Sequence, residues 1–328
     1  MHAFSYVRVD SVDDALSALR EPGTKVLAGG TNLLDLMKGY VEQPVHIVDI
    51  SRLPLDQVAE GSDGGIRIGA LARNSDAANH PLVRQRYPLL TKAFLAGASP
   101  QLRNMATVGG NLMQRTRCHY FTDAAFDRCN KRQPGSGCAA REGFTRQHAI
   151  FGASEQCIAT HPSDMAVALA ALDAVIVVRG PRGERRIPIE DFYRLPGTTP
   201  QRDTNLAPDE LILAIDLSPS SFAEHSHYLK VRDRASYAFA LVSVAAALEQ
   251  RDGAIRDARI ALGGVAHRPW RVRDAERRLV GNRLDQASIA AAAQASVRGA
   301  QPIRDNAFKV PLAQRAVMLA LQSAGGMA

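Results

Sequence analysis

All four cysteines of the chain fall within a stretch of forty residues, although the chain has 328. They are Cys118, Cys129, Cys138 and Cys157, spaced C-x10-C-x8-C-x18-C. Four thiols complete a tetrahedral metal site or an iron–sulfur cluster. The spacing lacks the paired C-x2-C of zinc ribbons and bacterial ferredoxins, so it does not choose the metal. A fold for this chain must either gather these thiols around one group or bond them in pairs.

The residues between the cysteines have the composition of a loop. Charged and polar side chains dominate at 127–132, and Gln-Pro-Gly-Ser-Gly follows at 133–137. A long loop without regular structure needs a group that orders it. Two disulfides, a zinc ion or an iron–sulfur cluster would each do so, and the cysteine count leaves all three open. We interpret the histidines of this region, His119, His148 and His161, as surface or hydrogen-bonding side chains.

Length and composition indicate a soluble globular protein of about two domains. Apolar residues make up 46% of the chain and charged residues 22%. The longest apolar runs, at 165–172 and 238–248, are too short to span a membrane. The first residues lack the basic-then-apolar pattern of a signal peptide. We therefore expect a protein that is cytoplasmic, or one that is exported together with a signal-bearing partner.

The chain is basic, with a formal net charge of +7 and an isoelectric point near 9.5. Basic proteins often bind nucleic acid. Here the basic residues are dispersed, with local groups at 182–186 and 268–278, and aromatic residues make up only 5%. This pattern favours a solvated basic surface that docks partners or anionic ligands.

Residues 1–60 are predicted to form a small α/β subdomain. The expected elements are a helix at 12–19 capped by Ser11, a strand at 25–28, a helix ending at Lys38 and a strand at 44–50. A strand, a helix and a second strand in this order predict a right-handed crossover and a parallel strand pair.

Residues 61–218 are predicted to form an α+β subdomain, into which the cysteine loop is inserted at 112–163. The expected strands, at 66–70, 174–179, 185–188 and 210–217, suggest one mixed, largely antiparallel sheet. The expected helices are at 75–79, 87–98 and 164–172.

A linker is expected at 219–226, and residues 225–328 are predicted to form a C-terminal α+β domain. Its expected strands are at 228–232, 238–248 and 258–265. Its expected helices run from Asp285 or Ser288 to Arg298, and over 311–323.

Two glycine segments have the chemistry of anion-binding loops. Residues 26–33 read Val-Leu-Ala-Gly-Gly-Thr-Asn-Leu, a junction from strand to helix, and residues 107–111 read Thr-Val-Gly-Gly-Asn. Glycines let backbone amides approach a phosphate, and a helix start adds unsatisfied N–H groups. Each segment alone could be a simple turn or a β-bulge. Together, beside a cysteine cluster, they favour the pyrophosphate of a dinucleotide.

Two charged residues are further candidates for the same site. Asp164, at a helix start, could accept hydrogen bonds from ribose or ribityl hydroxyls, or serve as the helix N-cap. Lys230, on an expected strand, could present a cation to a flavin ring, although a surface salt bridge is the commoner role of a lone lysine.

These segments resemble a known family. Residues 28–32 and 107–111 look like the two flavin-binding signatures of the FAD subunit of molybdenum hydroxylases, the xanthine dehydrogenase and aldehyde oxidase family. The cysteine segments 114–118, 129–132, 134–140 and 157–164 resemble more narrowly the FAD subunit of bacterial periplasmic aldehyde oxidoreductase, which carries an extra [4Fe-4S] cluster in this loop. Residues 231–240 and 261–266 extend the similarity into the C-terminal unit.

The resemblance implies a vanillyl-alcohol-oxidase-like (PCMH-type) FAD-binding fold of two subdomains, followed by a C-terminal flavoprotein domain. It implies that Cys118, Cys129, Cys138 and Cys157 ligate a [4Fe-4S] cluster. The implied FAD-site residues are Val26, Leu27, Ala28, Gly29, Gly30, Thr31, Asn32, Leu33, Thr107, Gly110, Asn111, Asp164, Ile212 and Lys230.

The implied function is that of an electron-transfer subunit in a heterotrimer. A large subunit would hold the molybdenum cofactor and oxidise aldehyde, and a small subunit would hold two [2Fe-2S] clusters. FAD would pass the electrons to an external acceptor. The implied location is the periplasm, reached with a signal-bearing partner.

Three other interpretations remain. They are a stand-alone flavin oxidase of the same fold, a zinc module with a nucleic-acid-binding surface, and the flavoprotein subunit of a hydroxybenzoyl-CoA-reductase-like complex. The stand-alone oxidase has no need of four loop cysteines. The reductase-like subunit also carries a loop cluster, so only its partner subunits would distinguish it.

Overall fold

A computed structural model describes residues 1–327. The N-terminal unit is a parallel three-stranded sheet in the order β1-β3-β2, with β1 at Ser5–Arg8, β2 at Thr24–Leu27 and β3 at His46–Asp49. Helix α1 (Val12–Ala18) joins β1 to β2, and α2 (Leu33–Lys38) joins β2 to β3. Ser11 caps α1, because its hydroxyl accepts a 3.0 Å hydrogen bond from the Asp14 amide. The predicted parallel pair is confirmed, whereas β1 was not predicted.

The second unit is built on a five-stranded sheet in the order β4-β5-β8-β6-β7, in which every neighbouring pair is antiparallel. Its strands are β4 (Val58–Glu60), β5 (Ile66–Gly69), β6 (Val175–Gly180), β7 (Gly183–Pro188) and β8 (Leu211–Leu217). The four predicted strands are present. Strand β4 was missed, because its three residues lack a clear apolar alternation.

Eight short helices lie between β5 and β8. They are α3 (Asn74–Asn79), α4 (Pro81–Arg86), α5 (Pro88–Ala96), α6 (Pro100–Arg103), α7 (Val108–Leu112), α8 (His119–Thr122), α9 (Asp164–Ala171) and α10 (Ile189–Phe192). Helices α4, α5 and α6 each begin with proline, which is tolerated in the first turn. All eight residues of α9 are buried, and α9 packs against α5, α7 and the C-terminal sheet. This central helix therefore joins the second unit to the C-terminal unit.

The C-terminal unit is an antiparallel sheet in the order β12-β11-β10-β9, covered by helices. Its strands are β9 (Ser226–Val231), β10 (Val242–Arg251), β11 (Ala254–Gly263) and β12 (Trp270–Arg271). Its helices are α11 (Arg273–Leu279), α12 (Gln286–Ser296) and α13 (Lys309–Ala324). Asp285 caps α12 in a capping box with Ser288, which resolves the two predicted starts in favour of Asp285. The predicted α+β architecture is confirmed.

The second half of the cysteine loop docks on the C-terminal unit rather than hanging free. The amides of Ile150 and Phe151 both donate to the carbonyl of Val265, at 2.8 and 3.0 Å, and the amide of His161 donates to the carbonyl of Ala266 at 2.9 Å. Ile150 and Phe151 belong to the C-terminal hydrophobic core.

Among residues 1–327, no helix has both the length and the apolar character needed to cross a membrane.

Candidate functional site

The first glycine segment leaves β2 and enters α2 with a row of unbonded amides. The N–H groups of Gly29, Gly30, Thr31, Asn32 and Leu33 donate no hydrogen bond to any group of residues 1–327. All five residues are half-buried. Successive amides of this kind at a helix start form a binding site for an anion.

Glycine is required here by shape as well as by backbone conformation. A Cβ on Gly29 would lie 1.9 Å from the carbonyl oxygen of Met105, a distance that no packing tolerates. Gly30 has a φ of +75°, a conformation that side chains with a Cβ rarely adopt. The close approach at Gly29 places the first glycine segment directly against the chain that enters the second.

The second glycine segment is helical, so neither the turn nor the β-bulge considered as its alternative is present. Thr107 is the N-cap of helix α7, and its hydroxyl accepts a 3.1 Å hydrogen bond from the Gly110 amide. The Gly109 amide donates to the carbonyl of Ala70 at 2.7 Å. These amides already have partners, so this segment acts chiefly as a support, and the free anion-binding amides belong to the first segment.

Side-chain amides and a guanidinium connect the two segments. The side-chain amide of Asn32 donates to the carbonyl of Gly110 at 3.4 Å, and Arg117 donates to the side-chain oxygen of Asn32. The side-chain oxygen of Asn111 accepts hydrogen bonds from Ser163 at 2.7 Å and from Gln114 at 2.5 Å. The two predicted segments and the start of α9 therefore meet in one place.

Asp164 and Lys230 form a buried ion pair at 2.7 Å, with side chains 6% and 5% exposed. Lys230 also donates to the carbonyl of Ala96 at 3.0 Å, and the Tyr228 hydroxyl donates to Asp164 at 2.8 Å. Burial, followed by the charge of Asp164, raises the pKa of Tyr228 well above its ordinary value. The surface salt bridge considered for Lys230 is wrong, and so is the N-cap role considered for Asp164, because Ser163 is the cap.

Asp164 also lines a cavity between the cysteine loop and the C-terminal sheet. The residues around it are Thr116, Arg117, Cys118, His119, Gln147, His148, Thr160, His161, Pro162, Ser163, Asp164, Phe239, Ala240, Ser243, Gly263 and Gly264. Within residues 1–327, three buried polar atoms of this lining make no hydrogen bond: Arg117 Nε, His148 Nδ1 and His161 Nε2. Burial lowers the pKa of His161 to about 4. Unpartnered buried polar atoms at a cavity wall indicate a place that a polar ligand completes.

Ile212 is not brought to this cavity. It lies in β8 opposite Val178, is 5% exposed, and its side chain belongs to the core of the second unit. Among the predicted histidines, His119 is exposed, whereas His148 is buried and His161 is 9% exposed. The Nε2 atom of His148 lies 3.1 Å from the sulfur of Cys118, which agrees with the predicted hydrogen-bonding role.

All four cysteines line a second cavity, and Cys118 lines both. Backbone pairing brings Cys129 opposite Cys138. None of the four, all within the described chain, forms a disulfide. Burial raises the pKa of Cys118 to about 12 and that of Cys157 to about 11.

The thiol cavity is lined by all four cysteine side chains, the donor set of an iron–sulfur cluster. A single zinc ion needs its thiolates to converge at about 2.3 Å from one point, and no group of three or more His, Cys, Asp or Glu within residues 1–327 is placed to hold a metal ion. The thiolates of an iron–sulfur cluster bind different irons and stand further apart. Four thiols around one cavity therefore form a donor set of the right kind and number for a cluster.

Two functional features were missed from the sequence. Tyr228 stands two residues before Lys230, so strand alternation places both on one face and could have revealed it. An ionic network lies beside the thiol cavity and joins the buried Lys131 to the half-buried Asp203, Arg115 and Glu42. Its members are far apart in the chain, and no local pattern indicates that they meet.

Comparison with known proteins begins with two family models. Residues 2–220 match the FAD binding domain in molybdopterin dehydrogenase, and residues 227–324 match the CO dehydrogenase flavoprotein C-terminal domain. Among curated proteins, the FAD-binding subunit PaoB of an aldehyde oxidoreductase from Escherichia coli (strain K12) is 53% identical over 330 residues, covering 100% of both chains. The glyceraldehyde dehydrogenase medium chain of Sulfolobus acidocaldarius is 31% identical and covers 86% of this chain and 83% of its own.

Solved structures share the same architecture. Carbon monoxide dehydrogenase from Hydrogenophaga pseudoflava, in a form that lacks the Mo-pyranopterin moiety, matches with a TM-score of 0.78 and 27% identity, covering 100% of this chain and 99% of that one. Quinoline 2-oxidoreductase from Pseudomonas putida 86 matches with a TM-score of 0.76 at 23% identity, over 100% and 99% of the two chains, which is a likeness of fold.

Proposed function

Because the chain belongs to the family of FAD-binding subunits of molybdopterin-dependent dehydrogenases and oxidoreductases, we propose that it is the electron-transfer subunit of an aldehyde oxidoreductase. The relative that supports this substrate class is the aldehyde oxidoreductase subunit with 53% identity over the full length. The stand-alone flavin oxidase, the zinc module and the hydroxybenzoyl-CoA-reductase-like subunit are not favoured by this similarity.

The observation that carries the FAD site is the row of five unbonded amides at Gly29–Leu33. The FAD pyrophosphate needs hydrogen-bond donors that are not already used, and these amides supply them at the positive end of α2. The carbonyl of Gly110 contacts the row by accepting a hydrogen bond from the Asn32 side chain. Thr107 caps the helix that carries Gly110, and Asn111 links that helix to Ser163. We assign the FAD pyrophosphate to this row of amides. FAD is proposed to bind non-covalently.

The buried ion pair orients the remainder of the cofactor site. Asp164 lies at the cavity wall, where both Lys230 and Tyr228 donate hydrogen bonds to its carboxylate. Arg117, with one unpartnered guanidinium nitrogen, and His161 offer further polar contacts on the same wall. When bound, FAD accepts electrons singly and delivers them in pairs, which couples iron–sulfur centres to a two-electron acceptor.

We also assign a [4Fe-4S] cluster to Cys118, Cys129, Cys138 and Cys157. Support comes from the common cavity that these thiols line and from their free state. The high pKa of the buried Cys118 and Cys157 thiols means that forming their thiolates needs a strongly compensating positive group, which iron provides. The expected content is about four iron and four sulfide per chain.

The partners proposed are a large molybdenum-cofactor subunit and a small subunit with [2Fe-2S] clusters, giving a heterotrimer. Relatives described as medium chains or medium subunits support assembly with larger and smaller partners. The proposed location is the periplasm, reached in complex with a signal-bearing partner, or the cytoplasm without such a partner. Fractionation of cells that express all three subunits measures this directly.

Aldehyde-dependent dye reduction tests the proposed function. The purified single chain should show no aldehyde oxidation, because the aldehyde site is assigned to the large subunit, while an artificial reductant should still pass electrons through it to a dye. Co-expression with the molybdenum and [2Fe-2S] subunits should restore turnover of an aromatic or aliphatic aldehyde. Aldehyde oxidation by the single chain, with bleaching of its flavin, would instead support the stand-alone oxidase.

A further inference from the structure

Lys131 is a buried cation beside the four thiols. It lies in the motif Cys129-Asn130-Lys131-Arg132, its side chain is only 1% exposed, and it lines the cysteine cavity. Its ammonium group donates to the carbonyl of Pro200 at 2.6 Å and to the carboxylate of Asp203. No ligand assignment explains why a lysine should be buried at this place.

Asp203 fixes the position of this lysine. Its second oxygen accepts a 2.9 Å hydrogen bond from Arg115, which in turn donates to Glu42 at 2.6 Å. Burial alone would raise the pKa of Asp203, but Lys131 and Arg115 hold it well below its usual range. The carboxylate therefore stays ionised and anchors the ammonium group at the cavity wall.

The surroundings of the thiols make a fixed cation there consequential. Besides Lys131, Arg128 is the only basic side chain lining this cavity among residues 1–327, and it is 49% exposed and paired with Glu142 at the surface. A charge in a buried environment acts with little screening, whereas an exposed one is screened by water and salt.

We propose that Lys131, held by Asp203, sets the reduction potential of the iron–sulfur cluster, because its positive charge stabilises the more negative, reduced state. The proposal rests on the cluster assigned above. A cluster with four thiolates becomes more negative by one charge when it accepts one electron, and net charge near the cluster is among the factors that set its potential. A buried cation therefore favours reduction.

The test is a redox titration of the full chain, purified anaerobically and followed by electron paramagnetic resonance. Lys131→Met should make cluster reduction at least about tenfold less favourable, a shift of about 59 mV to a more negative potential for a one-electron couple. Asp203→Asn should shift the potential in the opposite direction, because it removes a negative charge while the carbonyl of Pro200 still accepts the hydrogen bond from Lys131. Lys131→Arg should restore most of the original value.

Arg128→Gln is the matched control, since it removes a cation from the same cavity lining at an exposed position. Its shift should correspond to less than about threefold in the same equilibrium, because water screens it. A cluster that is present in all variants with an unchanged potential would overturn the proposal. Loss of the cluster from both Lys131→Met and Asp203→Asn, with FAD retained, would also overturn it and assign the pair a structural role. Absence of iron from the unmodified chain is a distinct result, which would overturn the cluster itself.

Discussion

Gly30 allows the sharpest test of the anion site at the scale of one residue. Its φ of +75° and the approach of Leu34 to within 2.9 Å of an added Cβ exclude a branched side chain. Gly30→Val should abolish FAD binding, measured by flavin content and by titration of FAD fluorescence, because the row of amides would be displaced. Backbone strain of this kind costs about 1 to 3 kcal/mol.

Gly253→Val is the matched control for strain. Gly253 has a φ of +73° in the turn between β10 and β11, and no atom lies within 4 Å of an added Cβ. This variant should lose similar stability and keep its FAD. Gly110→Val should also empty the site, because its Cβ would meet the Thr107 hydroxyl at 2.9 Å. Full flavin occupancy in both Gly30→Val and Gly110→Val would contradict the assignment.

The buried pair of Asp164 and Lys230 gives a second prediction for single residues. Lys230→Met leaves a buried carboxylate without its cation, which should cost about 3 to 5 kcal/mol of unfolding free energy and weaken FAD binding. Asp233→Asn, which breaks the exposed pair with Arg146, should cost under about 1 kcal/mol. Denaturant unfolding of both variants provides the comparison, and equal losses would show that the inner pair is not structurally important.

For single residues, the sequence indicates which side chains belong to the site better than it indicates which residues they pair with. The glycine segments, Asp164 and Lys230 were singled out, because turns, helix starts and lone charges have local signatures. The pairing of Asp164 with Lys230 joins residues 66 positions apart, and only the packing of α9 against the C-terminal sheet creates it. Asp203 had no signature, because its partners come from three distant segments.

At the scale of one element, Ser163 both caps helix α9 and contacts Asn111 of the second glycine segment. Its hydroxyl accepts a 3.0 Å hydrogen bond from the Ala166 amide and donates to Asn111 at 2.7 Å. Ser163→Ala should cost about 1 kcal/mol of stability through the lost cap. It should also weaken FAD binding about tenfold, the equivalent of one hydrogen bond of about 1.4 kcal/mol.

Ser11→Ala is the control for capping alone, because Ser11 caps α1 through the Asp14 amide and makes no contact with the glycine segments. It should destabilise the protein by a similar amount and leave the FAD dissociation constant unchanged. Equal FAD affinities in the two variants would refute the link through Asn111.

The longer elements were largely predictable, and helix α7 is informative among those that were missed. Caps at Ser11, Ser163 and Asp285 and the period of apolar residues indicated most helices, since these signals are local. Helix α7 was not foreseen, because its Gly109-Gly110 pair has a poor intrinsic helix propensity. Its formation depends on the Thr107 cap and on the fit of Gly109 against Ala70, where an added Cβ would lie 3.1 Å from the Ala70 side chain.

For the whole molecule, buried neutral histidines predict acid lability. Burial, followed by the charge of Lys131, lowers the pKa of His267 from 6.5 to about 3, and burial lowers that of His161 to about 4. Between about pH 6.5 and pH 4 the unfolded chain therefore binds protons that the folded chain does not, so stability falls as the pH falls.

His267→Gln should remove one of these protons and flatten the decline by up to about 1.4 kcal/mol per pH unit. Asp203 faces His267 and opposes this trend, while Lys131, Arg115 and His161 reinforce it. The measurement is the unfolding free energy from denaturant titrations across this pH range, with FAD held at saturation. Parallel curves for the variant and the unmodified chain would contradict the assignment of acid lability to His267.

The arrangement of the three units explains why the assembled site cannot be predicted from short segments of sequence. The free amides come from the N-terminal unit, Asp164 from the second unit, and Lys230 from the C-terminal sheet, while the cysteine loop docks on the carbonyls of Val265 and Ala266. The sequence predicted these pieces, but their meeting depends on long-range packing that no window of residues contains.

The central claim is that this chain holds FAD at the first glycine segment and a [4Fe-4S] cluster at its four cysteines. The most direct measurement is the absorption spectrum of the anaerobically purified chain, combined with flavin, iron and sulfide analysis. We expect about one releasable FAD and about four iron and four sulfide per chain, with Cys129→Ser losing the cluster while FAD remains. A colourless protein that contains zinc, or one without flavin, would contradict the account.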